Sequence, residues 1–558
     1  MLEYALSQAG DNRKELEYVI KYYEGDSLKR EAARFLIRNM VYHFGYEKRE
    51  RVSDITTLSS DYLIRNIELA FQAWPKPWNK SVSFENFCRY ILPYRGLYEQ
   101  PSGLREELMR TYLPLLDSSH IDNTYDAAVR LQKILRTRVT YQTEIPIHYP
   151  TAEEIHRTGV GRCDGVVLYG IQLMRAAGIP TVAEHTIWTR RNGEHYWCAF
   201  LNEDGRFLPF APEYEGPDSL IYNLTKPFLT PAKVYRYGFA PLHPVTTEST
   251  DEYRTFLKNP LLTAVTEQYL PPVADIHTTC DLPVRSKRAP IYLCTYNHGN
   301  WRPFAMSERI GNRCTFPKIV GDDVFIIAEY DKEAYGSLRF ITSPFHVSNT
   351  GIITKIKPDP ARTDSIFIAS DNPYQQQVPY TLAYWEQEQQ CFKNGYFPTD
   401  TIPGGILIRK IPKGSLLKAM ISRPEKAAED RIFLVENDTV KRYFNHERAV
   451  ETRRIYPTRD TFAKRPFRRI GNAIHTLGDR ENLLDSTNRP VLIRRVPTRF
   501  VVESKQGAVP MDLRGYPPPF PLGAYPPLLS LLHTPGAGKA PVYRTNGCLV
   551  VSASAGVP

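Results

Sequence analysis

The stretch from Gly159 to Asp218 constrains this chain most, because it sets a cysteine at the start of an apolar helix and a histidine on a strand soon after. Gly159-Val-Gly-Arg162 leads into Cys163-Asp164, and Val166, Val167, Leu168, Ile171, Leu173 and Met174 make the helix apolar nearly all round. Gly178 and Pro180 end it as a glycine beyond the last turn and a following proline should. Strands are expected at Thr181 to Thr186, Tyr196 to Leu201 and Arg206 to Phe210, with Asn202-Glu-Asp-Gly205 as a hairpin turn. Unpaired amides and the dipole at a helix N-terminus favour a thiolate and hold an oxyanion, so Cys163 is the candidate nucleophile. Asp164 suits the dipole but opposes the thiolate if it points at the sulfur.

Strand alternation turns His195 and Trp197 to one face and Tyr196 and Cys198 to the other, and His195 is expected to meet Cys163 as general base. His185 lacks a comparable frame and is set aside. A blander reading makes Cys163 a small buried residue at a tight junction and His195 a structural histidine beside aromatics. No second pair of Cys or His has metal-ligand spacing and no acidic calcium loop is visible, so neither metal nor cofactor is expected.

At 558 residues the chain exceeds one core and should divide into roughly three or four domains of about 150 residues. The net charge of +10 is local: residues 441–500 hold 15 Lys and Arg against 6 Asp and Glu, whereas the first 440 residues are almost neutral. That excludes nucleic-acid binding by the main domains and leaves anionic-surface binding to the tail alone. Eight cysteines without a CxxC pair make no disulfide framework, so mostly reduced thiols are expected. No apolar run spans a membrane, and the first ten residues read as no export signal.

The expected architecture is α+β and multi-domain. Residues 1–145 read as helical, with caps at Asp26, Ser27 and Ser83, a stop at Pro93, and Trp74-Pro-Lys-Pro-Trp78 as a packed corner. Residues 146–245 form the helix-then-strands core, and 285–440 read as one or two small β-sandwiches serving binding or architecture. Residues 445–558, basic and then proline-rich, are expected to be disordered.

Gly161-Arg-Cys163, Met174-Arg-Ala-Ala-Gly-Ile-Pro180 and Gly193-Glu-His195-Tyr-Trp197 resemble the core of the transglutaminase-like superfamily. The resemblance implies a papain-like fold, Cys163 as nucleophile and His195 as base. The triad aspartate that family members carry after the hairpin is replaced here, where Phe207-Leu-Pro-Phe-Ala211-Pro212 puts Ala211 at its position. Glu213, Glu215 and Asn202 are the nearby substitutes.

More widely, Ala5 to Arg13, Phe87 to Arg95, Tyr292 to Asn297 and Trp301 to Phe304 resemble uncharacterised bacterial multi-domain members of that superfamily, which implies an extracytoplasmic or cell-envelope location. The expected activity is cysteine-dependent acyl transfer on peptide or glutaminyl amides, as a protease, amidase or cross-linker, with a protein or peptide substrate. The alternative is an inactive scaffold binding peptides, glycans or an envelope component.

Overall fold

The computed structural model describes residues 1–442 apart from 48–49, 143–150, 190–192, 225–229, 242–256, 270–272, 286–289, 298, 308, 311–312, 333, 335–336, 370–379, 403–404, 422–430 and 437–438, and beyond 442 only short strands. The expected helices form at the N-terminal end. Asp26, Ser83 and Asn123 cap Ser27–Asn39, Phe84–Tyr90 and Thr124–Leu135, each side chain accepting a backbone N–H of the first turn. Leu36 and Ile37, Leu63 and Ile67 of the helix Ser60–Ala73, and Phe87 and Ile91 close one apolar cluster.

The expected boundary near residue 145 does not divide the packing. Leu108, Leu116, Leu131 and Leu135, from helices Arg105–Asp117 and Thr124–Leu135, share one core with Val166, Leu168, Ile171 and Met174 of the helix Cys163–Ala176. That central helix is buried along its length, which is why its sequence carries no polar stripe.

Its C-terminal end is tied down from several sides. Trp78, at the end of the Trp-Pro-Lys-Pro-Trp corner, is buried and donates its Nε1–H to the Ala177 carbonyl at 2.9 Å. Gly178 has φ +80°, and a Cβ there would stand 2.3 Å from the Ala73 carbonyl oxygen, so only glycine fits. Arg175 donates to the carbonyls of Thr181 and Arg95 at 2.9 and 2.6 Å. Arg105 likewise donates to the carbonyls of Ile91 and Pro93, both at 2.9 Å, while Arg95 pairs with the buried Asp54. Arg105 thereby satisfies the carbonyl of Ile91, the residue that caps the C-terminal end of helix Phe84–Tyr90.

Against the central helix lies a five-stranded antiparallel sheet, in the order Phe207–Phe210, Glu194–Leu201, Thr181–Trp188, Pro231–Tyr237 and Leu262–Ala264. Its register pairs Thr186 with His195, His185 with Tyr196 and Cys198 with Phe210. The turn Asn202–Gly205 forms as expected, with Gly205 at φ +74° and Asn202 Oδ1 accepting from the amides of Asp204 and Arg206.

The β-rich region forms two sandwiches. In the first, strands Ala274–Thr279 and Arg313–Ile319 pack through Ile276 and Phe316 on Leu293, Phe325 and Ile327 of a six-stranded sheet. In the second, Ile366, Ile408 and Ile411 face Leu382, Leu417 and Val435. The first sandwich docks on the core: Ile187 and Ala232 join its apolar cluster, Lys233 Nζ donates to the Pro317 carbonyl, and Tyr235 Oη donates to the Phe304 carbonyl, both at 2.8 Å.

Within residues 445–558, expected to be disordered, the described residues are short strands. Leu492–Val496, Arg499–Ser504 and Gly507–Asp512 pair antiparallel, as do Val542–Thr545 and Cys548–Val551. The rest of residues 445–558 lies outside the described residues.

Candidate active site

The chain reaches Cys163 through a tightly built approach. Thr151 and Glu154 form a reciprocal capping box on the short helix Ala152–Thr158, which ends at Gly159 with φ 68°. Val160–Gly161 then pairs parallel with Thr140–Tyr141. A Cβ on Gly161 would lie 2.7 Å from Ile155 Cδ1, so this glycine lets the approach strand close against the preceding helix. Arg162 turns the backbone from extended into helix, and Val166 N–H bonds its carbonyl at 2.9 Å.

The sulfur is therefore at the first position of a long helix, as the sequence indicates, but its resting state is a thiol. Burial pushes the Cys163 thiol up to about 12, and the carboxylates of Asp164 and Glu194 push the same way. Arg162 and the Tyr196 backbone amide pull toward the thiolate and are outweighed. The expected thiolate preference of a helix N-terminus is overridden here by desolvation and two nearby acids.

His195 keeps the alternation read from sequence. Its ring lies 5.7 Å from the Trp188 ring and 6.0 Å from the Trp197 ring, measured between centroids. Those tryptophans pack with Leu220, Leu224 and Val234. Buried Glu184 anchors this side, accepting from Trp197 Nε1 and Arg236 Nε, both at 2.7 Å. The central helix covers the other face, where Cys198 Sγ donates to the Val167 carbonyl at 3.4 Å and Tyr196 shares the apolar cluster of Cys163. The Tyr196 amide, one residue along the strand from His195, faces the Cys163 sulfur.

The imidazole on the helix-covered face is His185. It stands opposite Tyr196, with ring centroids 4.5 Å apart, and its Nε2 is 3.0 Å from Glu194 Oε2. Burial would raise the Glu194 carboxyl, but His185, Arg302 and Arg162 together hold it at about 2. Nothing local in the sequence marks His185. The signal available was parity: with a hairpin centred near residue 190, His185, Glu194 and Tyr196 fall on one face.

Ala211, at the expected aspartate position, is buried, and its carbonyl accepts from Gln132 Nε2 at 3.2 Å. Of the substitutes, Asn202 serves the hairpin turn. Glu213 is buried near Cys198, partway along the helix, and burial pushes its carboxyl up to about 8, so it is largely neutral at pH 7. Glu215 is held by a backbone bridge to Ala211. Among the described residues no cluster of three or more His, Cys, Asp or Glu could hold a metal ion.

The β-sandwich reaches into this neighbourhood. Asn297 is buried and clamps the hairpin: its Nδ2 donates to the carbonyls of Trp188 and Gly193 at 2.8 and 3.0 Å, and its Oδ1 accepts from Gly193 N–H at 3.0 Å. Arg302 adds its charge beside Glu194. A module read from sequence as binding or architecture thus positions the strand that carries His195.

Residues 117–212, which contain Cys163, His195 and Ala211, match the sequence model of the transglutaminase-like superfamily. A crystal structure of a candidate cysteine protease from Cytophaga hutchinsonii is similar at 19% identity and a TM-score of 0.19. The similarity covers 23% of this chain and 43% of that one, so the chain spans less than half of that neighbour's length. No curated protein matches the chain.

Proposed function

We propose that the protein is a cysteine-dependent acyl transferase acting on peptide or glutaminyl amides, a reading supported by the match of residues 117–212 to the transglutaminase-like superfamily. The observation that carries this reading is Cys163 at the first position of the central helix, inside the matched segment, with the Tyr196 amide facing its sulfur. A base takes the thiol proton, the sulfur adds to the amide carbonyl, and the base returns the proton to the departing amine, leaving a thioester. Water then releases an acid, or a second amine forms a new amide. The backbone N–H of Cys163, at the start of the helix, and the Tyr196 amide are the donors for the oxyanion in this proposal.

His195 is the base in this proposal, as the motif order of the superfamily implies. His185 is the second candidate, favoured by its place on the helix-covered face. The test incubates the full chain with p-nitrophenyl acetate and locates the acyl group by mass spectrometry. A thioester at Cys163, lost in Cys163→Ala and slowed at least about tenfold in His195→Ala, supports the reading. Acylation unchanged in Cys163→Ala refutes it.

A second reading is a catalytically silent scaffold that binds peptides or glycans, favoured by Ala211 and by the raised Cys163 thiol. It requires Cys163→Ala to leave binding and cellular role intact. The extracytoplasmic or envelope location belongs to the proposal through the resemblance alone. Among the described residues no helix is long and apolar enough to cross a membrane.

A further inference from the structure

The first β-sandwich holds a pair of sulfurs with no part in the proposed chemistry. Cys280 Sγ and Cys314 Sγ are 3.4 Å apart, and both are thiols in this structure. The register explains the approach: Thr278 pairs with Cys314 and Thr279 with Arg313, so Cys280 follows directly where strand Ala274–Thr279 leaves the ladder. A disulfide needs an S–S distance of about 2.05 Å, a closure of about 1.4 Å that side-chain rotation can supply. Cys280 is part-exposed and Cys314 is buried, which distinguishes an attackable sulfur from a resolving one.

The surroundings give the pair a consequence. Cys314 belongs to the apolar cluster that also contains Ile187 and Ala232 of the core sheet, with Cys280 packed against it. Ile187 pairs with Glu194 across the hairpin, and the strand of Cys314 also carries Pro317, the acceptor of Lys233. A bridge here would cross-link the sandwich where it grips the core, closing a loop between positions 34 residues apart.

We propose that Cys280 and Cys314 are a disulfide-forming site, oxidised by thiol–disulfide exchange with a low-molecular-weight disulfide such as oxidised glutathione. The Cys280 thiolate attacks one sulfur of that disulfide, forming a mixed disulfide and releasing one glutathione thiolate. The Cys314 thiolate then attacks the Cys280 sulfur and expels the second. Two electrons pass from the cysteines to the disulfide, and the two cysteine protons end on the two glutathiones.

The full-length protein is treated with oxidised glutathione, denatured, alkylated with N-ethylmaleimide and mapped by tryptic mass spectrometry. The expected result is a peptide linked through Cys280 and Cys314, no glutathione retained on either, and a melting temperature raised by several degrees and returned by dithiothreitol. Cys280→Ser should abolish the linked peptide, and Cys314→Ala should leave glutathione trapped on Cys280. The proposal is overturned if wild-type Cys280 keeps its glutathione while Cys314 is alkylated, if both thiols are alkylated, or if Cys280 links two chains instead.

Discussion

The two ends of the helix Cys163–Ala176 are built on different terms. At the C-terminal end, Trp78 and Arg175 donate to carbonyls and Gly178 lets the backbone of Ala73 approach to contact. At the N-terminal end Arg162 caps with no side-chain bond, and the sulfur faces an amide of a separate strand, whose hairpin is held by Asn297 of the sandwich. The difference teaches where rigidity is placed: the far end fixes the helix, so the near end can present a buried thiol among Asp164, Glu194 and Arg162.

The largest expected effects break the anchored end. Asp54→Ala would strand the buried Arg95 guanidinium and should cost about 3–5 kcal/mol, read as a fall in the denaturant midpoint. Gly178→Ala should cost about 3 kcal/mol or more, because it combines a left-handed backbone with a clash against Ala73. Both should leave the chemistry of any protein that still folds unchanged.

At the open end the effects should be smaller in stability and larger in reactivity. Asn297→Ala removes three hydrogen bonds to the hairpin and should cost about 2–3 kcal/mol by chemical denaturation. Glu194→Gln removes one of the acids that raise the thiol, so Cys163 alkylation by iodoacetamide at pH 8 should speed up severalfold relative to that of Cys391.

Acid titration sharpens the same contrast. The Glu194 carboxyl, at about 2, lies below the value of about 4.3 for an unfolded glutamate. Its stabilisation is therefore present above pH ~4.3 and lost as pH falls toward 2, and Glu194→Gln should flatten that limb of the stability profile. Glu213, at about 8, has the opposite sign: stability is lost as pH rises from ~4.3 through 8, and Glu213→Gln should remove the decline.

The sequence showed what local chemistry writes into neighbouring residues. Asp26, Ser83, Gly178 and the Asn202–Gly205 turn each act where their residue types require, and Cys163 stands at the helix start. Alternation correctly separated His195 from Tyr196. What it did not reveal was which face the helix would cover, so it did not show that His185 and Glu194 share that face. Asn297 and Arg302, more than a hundred residues beyond the hairpin, carry no local signal, since their roles exist only after the sandwich docks.

The transglutaminase-like reading is tested most directly by incubating full-length protein with dimethylcasein and monodansylcadaverine, following both dansyl incorporation and casein cleavage, beside Cys163→Ala. The account predicts at least one of these activities in the wild type and neither in the variant. Activity that survives in Cys163→Ala, or that is absent from the wild type with both readouts, would contradict it.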